Sequence, residues 1–148
     1  MRFAYTLFLL GMAATPALAA DFSTPQGALQ ALDQAQRSHN IDAAVAAKDF
    51  QYEAYAMLAN LKSTPKPEPA LVRKAAHTLE VAYRNEIKSD GFPNMEGVHT
   101  RVVRTKHLTP MLVEMDEQVT YPDGYVSHET IYAALSGERW GIVNLPSK

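Results

Sequence analysis

Residues 111–135 read MLVEMDEQVTYPDGYVSHETIYAAL, and the fold turns on how this stretch is divided. Apolar and polar residues alternate on both sides of Pro122-Asp123-Gly124, which is the pattern of two half-buried strands joined by a tight turn. Pro suits the first central position of a type I turn, Asp the second, and Gly the left-handed position that follows and makes a bulge, so Tyr121 pairs with Tyr125. Counting back from that pair sets Glu117 opposite Glu129. The face that carries Glu117 also carries Met111, Val113, Met115, Val119 and Tyr121, and that of Glu129 carries Ile131, Ala133 and Leu135. Two carboxylates about 5 Å apart at Cβ on an apolar face repel each other, and one of them is expected to hold its proton above the ordinary range, unless the pair sits at the sheet's rim in water or is neutralised by Arg101 or Arg104. A two-residue Asp-Gly turn would instead set Glu117 against Thr130 and dissolve the pair.

Outward from this hairpin the same alternation continues. Strands are expected at about Val98–Leu108, Met111–Tyr121, Tyr125–Leu135 and Arg139–Leu145, separated by Pro110, by the Pro122 turn and by Ser136-Gly137-Glu138. Connections this short make antiparallel neighbours. Upstream the period changes to that of helices. Thr24-Pro25 is a cap followed by Pro at the first helical position, and Ala28, Leu29, Leu32 and Ala35 recur at helical spacing. A short helix follows Asn40, a third runs from Phe50 to Leu61, and a long one spans Ala70–Lys88 with Val72, Ala76, Leu79, Tyr83 and Ile87 as its stripe. Between the last two, Pro65, Pro67 and Pro69 enforce an extended loop. Helices in the first half and a meander in the second give an α+β fold, N-terminal helices packed on a curved antiparallel four-stranded sheet. The stripe of the long helix is expected to lie on that sheet.

The opening Ser23-Thr24-Pro25-Gln26-Gly27-Ala28-Leu29-Gln30-Ala31-Leu32, then Asn40 to Ala46, resembles the start of NTF2-like domains. The Val119 to Gly124 strand and turn, Ala134-Leu135 and the closing Glu138-Arg139-Trp140-Gly141-Ile142-Val143 are similar to their end. The resemblance implies a sheet wrapped around a helix as a cone with a pocket at its open end. It does not choose among the enzymes, ligand binders and interaction modules built on that fold.

The front end is read as an address. Arg2, the apolar run Phe3–Ala14 and the small residues of Ala17-Leu18-Ala19 form a signal peptide over residues 1–19, cleaved after Ala19 or one residue later. Residues 20–148 then form a single domain, periplasmic or secreted, with no membrane attachment after processing. Removing Arg2 from the 14 basic residues leaves 13 against 16 acidic ones, a balance that argues against nucleic acid as a partner. Zero Cys means that burial alone holds the fold and that thiol catalysis is absent. There is no phosphate-cradling Gly-rich loop and no Gly-x-Ser-x-Gly elbow.

No cofactor or metal site is expected from the five histidines, His39, His77, His99, His107 and His128. His99 and His107 are read as sharing one strand face, roughly 26 Å apart at about 3.3 Å per residue, too far for one ion. Arg101 and Arg104, with Lys106 and His107, are either a surface for an acidic partner or the charge that protects an edge strand from unwanted pairing. Tyr132 and Trp140 are either an aromatic binding patch, with the sheet face a candidate homodimer contact, or core. The function expected is a non-enzymatic binding module for a protein partner or a small apolar ligand. The alternatives are a toxin-neutralising immunity or inhibitor protein and a small hydrolase or isomerase that uses Glu117 and Glu129.

Overall fold

A computed structural model describes residues 19–62 and 66–145. The expected signal peptide lies outside the described residues except for Ala19, and so do Ser63, Thr64 and Pro65 of the Pro-rich connection. Four helices precede four strands: α1 Pro25–Arg37, α2 Ile41–Ala46, α3 Phe50–Lys62, α4 Pro69–Asp90, β1 His99–Thr109, β2 Leu112–Thr120, β3 Val126–Ser136 and β4 Arg139–Val143. Each helix begins where the chain supplies an acceptor or a rigid φ. Thr24 Oγ1 accepts from Gly27 N at 3.0 Å, Asn40 Oδ1 from Ala43 N at 3.0 Å and Asp49 Oδ1 from Tyr52 N at 2.9 Å. Pro69 opens α4, and Gly91 at φ 79° ends it.

The strands form one open antiparallel sheet in the order β1-β2-β3-β4 and do not close into a barrel. Its inner face is covered by α1. Ala28 and Leu29 pack on Val113 and Met115 of β2, Ala133 of β3, and Trp140 and Ile142 of β4. Small residues on the helix let it lie close, and the four larger β2 and β4 side chains fill the space beneath it. Met111 departs from the expected apolar stripe: it sits in the turn before β2 and is exposed.

The long helix corrects an expectation. Its stripe does not lie on the sheet: Val72, Ala76, Leu79 and Tyr83 pack on Phe50, Ala54 and Leu58 of α3, and Ile87 reaches Ala35 of α1 and Ala44 of α2. A helical period says that one face is buried but not against what, and α1 already occupies the inner sheet face. The α3–α4 hairpin is tied to the sheet at the far edge of β4. Lys48 pairs in parallel with Ile142, Ile142 N donates to Ala47 O and Asp49 N to Ile142 O, both at 2.9 Å, and Trp140 N donates to Phe22 O at 2.9 Å. Gly141 is required there, because a Cβ would stand 2.8 Å from Asp49 Cβ and 3.1 Å from Asp49 N. β1 is therefore the open edge of the sheet.

Two further readings are overturned by strand geometry. A register shift in β1 between Val102 and Arg104 leaves His99 on the outer face, opposite Thr120, and puts His107 on the inner face, opposite Val113. The two histidines do not share a face, because a bulge reverses the alternation that a sequence count assumes. Trp140 is buried in the α1 core at 7% exposure, while Tyr132 is half-buried on the outer face with Leu112, Ala134, Val143 and Tyr52. They lie on opposite sides of the sheet and form no common surface patch.

Candidate functional site

The Pro122-Asp123-Gly124 turn positions the site. Gly124 N donates to Tyr121 O and Tyr121 N to Tyr125 O, each at 2.9 Å, and Gly124 has φ 86°. Asp123 Oδ1 accepts from Tyr125 N at 3.0 Å, so each central residue does what its chemistry suits. From this anchor β2 and β3 run in unbroken register, and Glu117 stands opposite Glu129.

At that end of the sheet a pocket of about 230 Å³ opens between α1 and the inner face. Leu29, Leu32, Asp33 and Gln36 of α1 form one wall. Thr100, Glu117, Val119, Tyr121, Glu129 and Ile131 of the sheet form the other, and Pro93, Asn94, Met95 and Val98 form the rim. Glu117 is 7% exposed, whereas Glu129 is exposed at the mouth. No described residue donates a hydrogen bond to the Glu117 carboxylate. Burial, and secondarily the charges of Asp33 and Glu129, push its pKa up to about 7, against a smaller opposing pull from Arg37. At neutral pH the group is divided between its two forms, so it can give or take a proton or hold a cation.

Asp33 and Arg37 were not legible as site residues. Asp33 accepts from Thr100 Oγ1 at 2.7 Å and lies 3.4 Å from Arg37 Nη2. Arg37 also donates to Met95 O at 3.0 Å and Val98 O at 2.9 Å, which fastens the pocket rim to α1. One signal existed in the sequence: Asp33 lies four residues after Leu29, so an acid stands beside the apolar stripe of α1.

A larger cleft of about 600 Å³ lies between the α3–α4 hairpin and β4, lined in part by Lys48, Arg73, His77, Glu80 and Arg139. Its deepest polar groups are already paired. Lys48 Nζ is 2.8 Å from Glu53 Oε1 and lies 5.5 and 5.3 Å from the ring centres of Phe50 and Tyr83, and Glu53 Oε1 also accepts from Asn144 N at 2.7 Å. Glu80 pairs with Arg84, Arg139 donates to Ala46 O and Asp49 accepts from Ser136 Oγ. These contacts hold the hairpin on the sheet.

The sheet's outer face carries the basic strand. Arg101 donates to Gln118 Oε1 at 2.9 Å, and Arg104, largely exposed, is 3.8 Å from Glu114. Both belong to the open edge strand, where charge discourages pairing. Neither reaches Glu117, whose nearby cation among the described residues is Arg37 of α1. Among the described residues no three His, Asp or Glu side chains converge closely enough to hold a metal ion, and no helix is long and apolar enough to cross a membrane. Comparison of the chain with protein-family models, curated proteins and solved structures finds no match.

Proposed function

We propose that this protein is an exported, periplasmic NTF2-like binding module that holds a small, mainly apolar ligand between α1 and the sheet. The observation that carries the reading is the pocket itself: concave, with an apolar surface from Leu29, Leu32, Val119 and Ile131 beside its polar groups, one of them a buried carboxyl that receives no hydrogen bond from the described residues. An α1 helix lying in the hollow of an antiparallel meander is the arrangement that the NTF2-like resemblance implies, and the export signal would place it outside the cytoplasm. Protein purified without denaturant from its own host should carry a small molecule, seen as added mass in native mass spectrometry and as density beside Glu117 in a crystal. Protein of bare mass with an empty pocket, in every preparation, would overturn the reading.

One observation favours a second reading, a small hydrolase or isomerase. Glu117 holds its proton near neutrality while Glu129, exposed at the mouth, faces it across the register, which is a division of labour that acid and base catalysis uses. Turnover of a defined substrate, lost in Glu117→Gln with the fold intact, would replace the binding module by this enzyme.

A further inference from the structure

The chemistry of the pocket wall narrows the ligand. Three carboxylates, Asp33, Glu117 and Glu129, face a space of about 230 Å³. Among the described residues the cation beside them is Arg37, which is spent on Asp33 and on the carbonyls of Met95 and Val98. Glu117 is more than nine-tenths buried, lines the pocket, and receives no hydrogen bond from the described residues. A carboxylate with no protein donor is hydrated only from the pocket, and a ligand that enters must supply the donor that it displaces. Tyr121 is the remaining titratable side chain at the wall, and the residues that β1 and the rim loop contribute, Thr100, Pro93, Asn94, Met95 and Val98, are all uncharged.

An anion is repelled by this wall. A metal ion finds no three converging ligands among the described residues. An extended basic peptide does not fit a space of about 230 Å³. What matches both the acids and the aliphatic surface between them is one positive charge on a small apolar body. We propose that the pocket selects a small organic ammonium, whose charged nitrogen lies against Glu117 and Glu129 and whose apolar part lies along Leu29, Leu32, Val119 and Ile131. The inference rests on the binding-module reading and makes it specific.

Such a ligand stabilises ionised Glu117, so binding expels a proton from the half-protonated group at neutral pH, and affinity rises as the pH is raised through neutrality. The test uses three compounds of one shape and different charge: benzylamine, benzyl alcohol and benzoate. Each is titrated into the full protein by calorimetry in two buffers of different ionisation enthalpy, with NMR of the Leu29, Glu117 and Ile131 amides to locate binding. Benzylamine is expected to bind at these residues with release of about half a proton at neutral pH. Glu117→Gln should weaken it about ten- to hundredfold, the loss of a charge-assisted hydrogen bond, while affecting benzyl alcohol little. Glu129→Gln, a change at an exposed position that leaves the core untouched, should act in the same direction and less. Equal or tighter binding of benzyl alcohol or benzoate at these amides overturns the ammonium and leaves the pocket as a ligand site. No response of these amides to any of the three at millimolar concentration also overturns it, and the content of the host-purified protein then decides the broader reading by itself.

Discussion

Glu53 and Glu117 are buried to nearly the same depth, 6% and 7% exposed, in two different parts of the molecule. Glu53 sits where the α3–α4 hairpin meets β4, and its carboxylate is enclosed by Lys48 Nζ at 2.8 Å and Asn144 N at 2.7 Å. Glu117 sits under α1 with two other carboxylates for neighbours and no donor among the described residues. The depth is the same and the electrostatics are opposite. At the hairpin junction a buried charge is complete within the protein, so its role is to join two layers. At the pocket the charge is left incomplete, and incompleteness in an accessible hollow is what separates a site from a staple.

The largest effect expected from breaking this contrast is at the hairpin. Glu53→Ala leaves Lys48 buried without a counter-charge and Asn144 N without an acceptor, and should lower stability by about 3–5 kcal/mol. Urea unfolding followed by circular dichroism measures it, and a loss below about 1 kcal/mol would show that the junction is peripheral to the fold.

Glu117→Gln should act in the other direction. The folded pKa is raised, from 4.5 to about 7, so the native state binds the proton more tightly than the unfolded chain and stability falls as the pH rises across that window. At about 1.4 kcal/mol per unit, 2.5 units correspond to roughly 3 kcal/mol, of which solvent at the mouth removes part. At about pH 8 the variant should be more stable than the parent by on the order of 2 kcal/mol, and the two should converge below the unfolded pKa. Denaturation curves at several pH values test this, and a parent that is as stable as the variant above neutrality would mean that Glu117 has a donor after all.

The smallest change sharpens the comparison within the pocket. Replacing the charge at Glu129 by Gln removes one of the two carboxylates that push on Glu117, though not the burial that contributes most. The midpoint of Glu117, followed by NMR of its side-chain carboxyl carbon, should move down by a fraction of a unit and stay above the ordinary carboxylate range. A return to that range would assign the effect to Glu129 instead of to burial.

Much of this was legible because it is local. The Pro122-Asp123-Gly124 turn fixes its own type, the turn fixes the register, and the register brings Glu117 to Glu129 without any knowledge of the rest of the chain. What was not legible depends on which surfaces meet. The stripe of α4 is plain in the sequence, yet its partner is α3 because α1 reaches the sheet first. The β1 bulge has no Gly to announce it, and it moves His107 to the other face. Asp33 reaches Thr100 across 67 positions, and Glu53 meets Asn144 across 91, distances over which a single sequence gives no pairing signal.

The backbone bonds at β4 have a consequence for how copies of this domain meet. Trp140 N and the two polar groups of Ile142 are taken by Phe22, Ala47 and Asp49, so that edge offers no ladder to a neighbour, while β1 keeps its outer row. A sheet with two open edges can template strand after strand into a filament. With one, edge-to-edge pairing joins β1 of one copy to β1 of another and then has nowhere to grow, so association by this route ends at two.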